Sequence, residues 1–152
     1  MNYRNAQSKD LDKIYGLIRE LAINEGMLDK VEVSKDELNK MLFDESPQMH
    51  CLVAEDKDVV GIAIYYYKPS TWAGQILHLE DLVVSSDFRG SGIGKTLFLK
   101  LAKIAKQQEV GRMEWDLGVE NTKAREFYES QGATVAEEWR LCRLYKDALS
   151  SL

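Results

Sequence analysis

Apolar residues recur at Leu11, Ile14, Leu17, Ile18, Leu21 and Ala22, the three-and-four spacing that gives a helix one buried face. Ser8 stands ahead of this run as a candidate cap, and Gly26 follows as a stop. Ser34, with Glu37 three residues on, is a capping-box pattern that opens a second short helix. The runs "HCLVAED" and "VVGIAIYYYK" then flank "DKD", which predicts a hairpin, and a third β-rich run, "QILHLEDLVV", follows the loop "PSTWAG". Beyond the glycine-bearing stretch "DFRGSGIGKT", helical spacing returns, with Leu97, Leu101, Ile104 and Ala105 on one face and lysines mostly on the other. "RMEWDLGV" predicts a strand, "NTKAREFYESQ" a short helix ended by Gly132, and "ATVAEEWRLCRLY" a last strand. The order β-α-α-β-β-β-α-β-α-β, with no repeat or linker, predicts one mixed α/β domain over residues 1–152.

The composition is compatible with a proper core: 152 residues, 45% hydrophobic and 9% aromatic. No apolar run approaches the roughly 20 residues of a membrane span, and "MNYRNAQSKDLDK" lacks the apolar centre of a signal peptide, so the expected compartment is the cytoplasm. Cys51 and Cys142 each lie in an apolar strand-like segment, which favours two buried thiols over a disulfide. A net charge of −5 argues against general affinity for nucleic acid or an anionic membrane surface. The charge is unevenly spread. Residues 29–58 hold nine acids against four lysines, and residues 89–112 hold six bases against Glu109 alone. These are either solvated faces or sites for ligands of opposite charge. His50 and His78 have no cysteine or carboxylate at metal-ligand spacing, so structural roles and no metal are expected.

Three glycines within residues 90–94 require a reason. A Walker A loop would need a glycine where Arg89 stands, and a dinucleotide fingerprint would need one at Lys95. A third reading fits: strand, glycine turn and helix N-terminus together form an anion cradle of backbone N–H groups, with Arg89 and Lys95 adding charge. A plain tight turn is the alternative, although one glycine would suffice for it. A pyrophosphate is the matching anion.

Arg89-Gly90-x-Gly92-x-Gly94 between strand and helix, followed by Asn121, Phe127-Tyr128 and Gly132-Ala133, resembles the acetyl-CoA site of the GNAT superfamily of N-acyltransferases. The segments "LIRELAINEGM", "HCLVAE", "TWAGQILHLEDLVV", "DFRGSGIG" and "EEWRL" are similar to those of its spermidine/spermine and thialysine acetyltransferase branches. The resemblance implies a central mixed, mostly antiparallel sheet and acetyl-CoA as cosubstrate, with no metal. It implies that Arg89, Gly90, Ser91, Gly92, Ile93, Gly94 and Lys95 hold the pyrophosphate. Leu82, Val83 and Val84 would pair with the pantetheine arm, and Asn121, Ala124 and Tyr128 would contact the cofactor from the next helix.

Acetyl transfer to an amine needs a proton removed from the ammonium and one delivered to the departing thiolate. Glu80 and Asp81 are adjacent in a strand, so they are expected on opposite faces with at least one buried. By resemblance, Glu80 is the water-mediated proton acceptor and Asp81 helps hold the amine. Periodicity alone makes Tyr128 a core aromatic beside Ala124 and Phe127, whereas the resemblance makes it the proton donor to the CoA sulfur. Transfer is then direct, and neither cysteine is needed as an acyl carrier.

The resemblance also assigns Asn24, Glu25, Trp72, Asp116 and Glu138 to the acceptor. Three departures bear on this assignment. Asn24 stands where the polyamine enzymes have a tyrosine-type residue, and no glycine separates the acids from Trp139, which leaves Glu137 or Glu138 open. Ser70-Thr71 precede Trp72 where the polyamine branch has an acid and a proline, although "PSTW" also reads as a hairpin loop with an anchoring aromatic. The expected acceptor is a small cationic amine: a polyamine, a diamine or a thialysine- or lysine-like amino acid. A homodimer is expected from the family. A CoA-binding sensor module and a protein lysine or N-terminal acetyltransferase are the alternatives; a nucleotide phosphotransferase would require the missing Walker glycine.

Overall fold

A computed structural model describes residues 1–152, which fall into two compact units, Met1–Asp116 and Leu117–Leu152. In the first unit, β1 (Asn2–Asn5), β2 (His50–Glu55), β3 (Val59–Ser70), β4 (Gly74–Val84) and β5 (Arg112–Glu114) form one sheet in the order β1-β2-β3-β4-β5. The first four pair antiparallel, and β5 runs parallel to β4. That parallel pairing needs a crossover, which α3 (Ile93–Gln107) supplies. The sheet is therefore mixed and mostly antiparallel, as expected.

Helices α1 (Leu11–Asn24) and α2 (Lys35–Phe43) cover one face. Their Ile14, Leu17, Leu38 and Leu42 pack with Cys51, Val53, Ile62, Ile64 and Val83 into one buried cluster. Each such side chain contributes about 1.5–3 kcal/mol by leaving water. The capping box at Ser34 and Glu37 forms as predicted. The cap at Ser8 does not, because Ser8–Asp10 is a 3-10 turn opened by Gln7 and Asp10. The opposite face carries α3. A side chain at Gly61 on β3 would come within 3.0 Å of Ile93 and 3.3 Å of Leu97, so bare backbone there lets the start of α3 lie close on the sheet.

The second unit contains α4 (Thr122–Ser130) and α5 (Lys146–Ser150). Asn121 caps α4 by accepting from the Ala124 N–H at 3.1 Å. The strand expected over "ATVAEEWRLCRLY" does not form. Alternating apolar residues supply a side-chain pattern, but a strand also needs a neighbouring backbone ladder, and this unit contains no strand. For the same reason Cys142 is exposed rather than buried. Cys51 is buried as expected, and that burial pushes its thiol pKa up. The strand expected over "RMEWDLGV" contracts to the three residues of β5. No helix is long and apolar enough to cross a membrane.

Arg4 fastens the sheet edge. Its guanidinium donates to both Asp10 oxygens at 2.7 and 3.0 Å, and to both Glu55 oxygens at 2.7 and 3.0 Å. Asp10 is buried, and the Arg4 hydrogen bonds hold its carboxyl below the usual carboxylate range. Arg4→Met would leave that carboxylate buried without its partner, a loss of about 3–5 kcal/mol in urea unfolding at pH 7. A depressed carboxyl stabilises the fold above its unfolded pKa, near 3.9, and loses that contribution as pH falls below it. The difference between wild type and variant should therefore shrink in acid; a gap as wide at pH 3 as at pH 7 would contradict this role for Arg4.

Candidate active site

Between β4 and α3 the chain makes a 3-10 turn at Ser86–Phe88 and then passes Gly90 and Gly92, whose φ angles are +76° and +82°. Glycine is the residue that adopts this conformation without steric cost. None of the N–H groups of residues 90 to 95 makes a hydrogen bond of good geometry within the chain, and such bonding resumes with the Thr96 N–H donating to Gly92 O at 3.0 Å. Six successive amide donors thus surround the start of a fifteen-residue helix, the geometry that suits a phosphate. Gly94 is informative in another way. A side chain there would meet only Val84 Cγ2, at an ordinary 3.5 Å, so the chain's own packing leaves room that its backbone does not require.

Arg89, expected to add charge to the cradle, also ties the turn to its neighbours. Its Nε donates to the Val84 carbonyl at 3.1 Å and its Nη2 to Glu20 on α1 at 3.2 Å, while Glu20 also accepts from the Ser86 N–H at 2.8 Å. Arg89 thus anchors the turn to α1. Lys95, in the first turn of α3, is exposed.

The edge of β4 leads into these amides. Leu82, Val83 and Val84 pair on one side with Ala63, Ile62 and Gly61 of β3, whereas β5 pairs with β4 only over Ile76, Leu77 and His78. The rest of that edge is left without a strand partner. An extended ligand with amide groups can add to such an edge as a strand would.

Register explains the carboxylates. Leu79 pairs with Tyr65 and Asp81 with Ile64, so Glu80 is an unpaired bulge residue. A bulge breaks the alternation of faces, and the expected opposition of Glu80 and Asp81 does not occur. Asp81 and His78 share a face because their partners Ile64 and Tyr66 do, and Glu80 Oε2 lies 3.6 Å from His78 Nε2 on that same side. Burial pushes the Asp81 carboxyl up to about 6, with the charges of Glu80 and Glu25 adding to the effect. The Tyr66 hydroxyl pKa is raised by burial first and then by Glu80, Asp116 and Glu114. Glu25, Glu80, Asp81, Glu114 and Asp116 thus form an electrostatically linked acidic face, with Lys68 and Arg112 bound to Glu114.

Of the other predicted acceptor residues, Asn24 ends α1 directly before Glu25. Trp72 lies at the tip of the β3–β4 turn with 85% of its surface exposed, roughly 20 Å along the strand from Glu80 of the same chain. In the second unit, Tyr128 is half-buried on α4 with its ring 5.1 Å from Phe127, and burial raises its hydroxyl pKa. Arg125 holds Glu129 at 3.0 Å and Glu137 at 2.7 Å. That leaves Glu138 as the acid outside this ion-pair group. No group of three or more histidine, cysteine, aspartate or glutamate side chains has the arrangement to hold a metal ion. Sequence reading missed Tyr66 and Glu114 and gave His78 a structural role only; the three adjoin through strand pairing rather than any linear motif.

Comparison with known proteins agrees with this geometry. The family model described as the acetyltransferase (GNAT) family matches residues 13–133. The thialysine N-epsilon-acetyltransferase of Bos taurus is 35% identical over 98% of this chain and 95% of its own length. The spermidine/spermine N(1)-acetyltransferase-like protein 1 of Homo sapiens is 33% identical over 96% of this chain, which spans 23% of that longer protein. Among solved structures, an integron cassette protein from the mobile metagenome of V. cholerae superposes with a TM-score of 0.78 at 27% identity, covering 99% of this chain and 95% of that one. Fold, site geometry and full-length similarity lead to one conclusion: the chain belongs to the GNAT family of N-acetyltransferases.

Proposed function

We propose that this enzyme transfers acetyl from acetyl-CoA directly to a primary amine of a small cationic substrate: a polyamine, a diamine or a lysine-like amino acid such as thialysine. The observation that carries the reading is the run of six uncommitted amides at residues 90–95, continuous with the open edge of β4. The names of the bovine and human relatives support the amine class. On family resemblance, the enzyme works as a cytoplasmic homodimer, each chain forming one catalytic domain.

Acetyl-CoA supplies the activated acetyl thioester. Gly90, Ser91, Gly92, Ile93, Gly94 and Lys95 hold its pyrophosphate through main-chain N–H groups, helped by the positive end of the α3 dipole. Leu82, Val83 and Val84 align the pantetheine arm, and Asn121 and Ala124 complete the cofactor contacts. Glu25, Asp81, Asp116 and Glu138 attract the cationic acceptor, with Asn24 and Trp72 as further acceptor contacts. Glu80 takes the ammonium proton through a water, which makes the nitrogen nucleophilic. Tyr128 donates its hydroxyl proton to the departing sulfur as the C–N bond forms and the C–S bond breaks. Neither cysteine carries the acetyl group.

An assay of CoA release with spermidine, spermine, putrescine, thialysine, lysine and ornithine tests the reading; turnover with none of them would overturn it. Gly92→Val places a β-branched residue at a positive φ and should weaken acetyl-CoA binding about tenfold or more by calorimetry; unchanged affinity would put the ligand elsewhere. Tyr128→Phe should lower kcat by about 10²–10⁴-fold with little change in acetyl-CoA affinity, and an undiminished kcat would remove the proton-donor role. Asp81 loses its charge as pH falls through about 6, so KM for the amine should rise below that pH. Asp81→Asn should flatten the rise; a rise that persists in this variant would assign it to another group.

A further inference from the structure

His78 lies in a cross-strand row, with Tyr66 on β3 and Glu114 on β5 as its register partners. It is 9% exposed, and its ring lies 4.9 Å from that of Tyr66. Each ring nitrogen faces a carboxylate: Nε2 is 3.6 Å from Glu80 Oε2, and Nδ1 is 3.8 Å from Glu114 Oε1. Both separations are slightly beyond hydrogen-bond contact, and the buried Nδ1 has no hydrogen-bond partner. The other charged groups on this face are Lys68 on β3 and Arg112 on β5, both bound to Glu114, together with Asp81, Asp116 and, after α1, Glu25.

A neutral imidazole has one N–H and one lone pair, whereas the imidazolium has two N–H groups. Placed between two carboxylates, the neutral ring must turn its lone pair toward one of them. In the neutral tautomer with its proton on Nδ1, that N–H is aimed at Glu114. The Nε2 lone pair then faces Glu80. Proton uptake at Nε2 converts that repulsive contact into an attractive one.

We propose that His78 relieves Glu80 of the proton taken from the substrate, with Glu114 fixing the ring's tautomer and orientation. The proposal rests on the reading of Glu80 as proton acceptor. The Glu80 O–H bond breaks as the Nε2–H bond forms, which restores the carboxylate. The proton then leaves Nε2 for water, the ring returns to neutral, and nothing is oxidised or reduced. Glu80, with 46% of its side chain exposed, is the first station of the route, and His78, with 11%, is the inner one.

The test combines pH profiles with proton NMR of the histidine rings, which are only two and can be assigned through His50→Gln. His78→Gln should lower kcat by about ten- to a hundredfold with little change in acetyl-CoA affinity. It should also shift the acid limb of kcat/KM, because a proton-accepting group is removed from the route. Independently of turnover, the midpoint of the His78 ring signal should fall in Glu80→Gln and in Glu114→Gln, each of which removes a facing negative charge. These two variants keep the ring and serve if His78→Gln misfolds. An unchanged midpoint in both, or an unshifted acid limb in folded His78→Gln, overturns the relay. A wild-type kcat and pH profile in Glu80→Gln overturns the underlying assignment of Glu80 instead.

Discussion

Backbone N–H groups that find no acceptor inside a protein must be satisfied from outside it, and residues 90–95 concentrate six of them at one helix start. Much of the surrounding architecture maintains that arrangement. Gly61 lets Ile93 and Leu97 seat the first turns of α3 on the sheet. Arg89, bound to Glu20 and to the Val84 carbonyl, ties the turn to α1 and to the end of β4. The positive φ angles of Gly90 and Gly92 set the intervening chain path. In the proposed reading, anion affinity here is a property of backbone geometry, to which side-chain charge is an addition.

The second constraint is the bulge at Glu80. A regular β4 would send Glu80 and Asp81 to opposite faces. One extra residue in the pairing places them together with His78, next to the level where β4 and β5 stop pairing. The same strand thus offers an open edge toward an extended ligand and a cluster of acids on one face. Desolvation and mutual repulsion make Asp81 a weaker acid than usual, and a cation entering that face would relieve the repulsion.

Elements whose signals are local were legible in the sequence. The Ser34 and Glu37 cap, the β2–β3 hairpin, the α3 apolar face and the Asn121 helix start all rest on residues within a few positions of one another. The glycine turn at residues 90–92 was legible for the same reason. Features that depend on pairing were not. The bulge arises from β3 register and brings Glu80 onto the face of Asp81, and the Tyr66–His78–Glu114 row joins three strands far apart in the chain. Residues 133–145 show the opposite failure, where a convincing strand pattern lacks a backbone partner.

The most direct measurement of the central claim is a ¹⁵N–¹H NMR titration with acetyl-CoA, and in parallel with acetyl-pantetheine, which lacks the diphosphate. The account predicts that the amide protons of residues 90–95 move downfield with acetyl-CoA, as new charge-assisted hydrogen bonds form, and respond little to acetyl-pantetheine. Saturation with acetyl-CoA that leaves these six signals in place would contradict it.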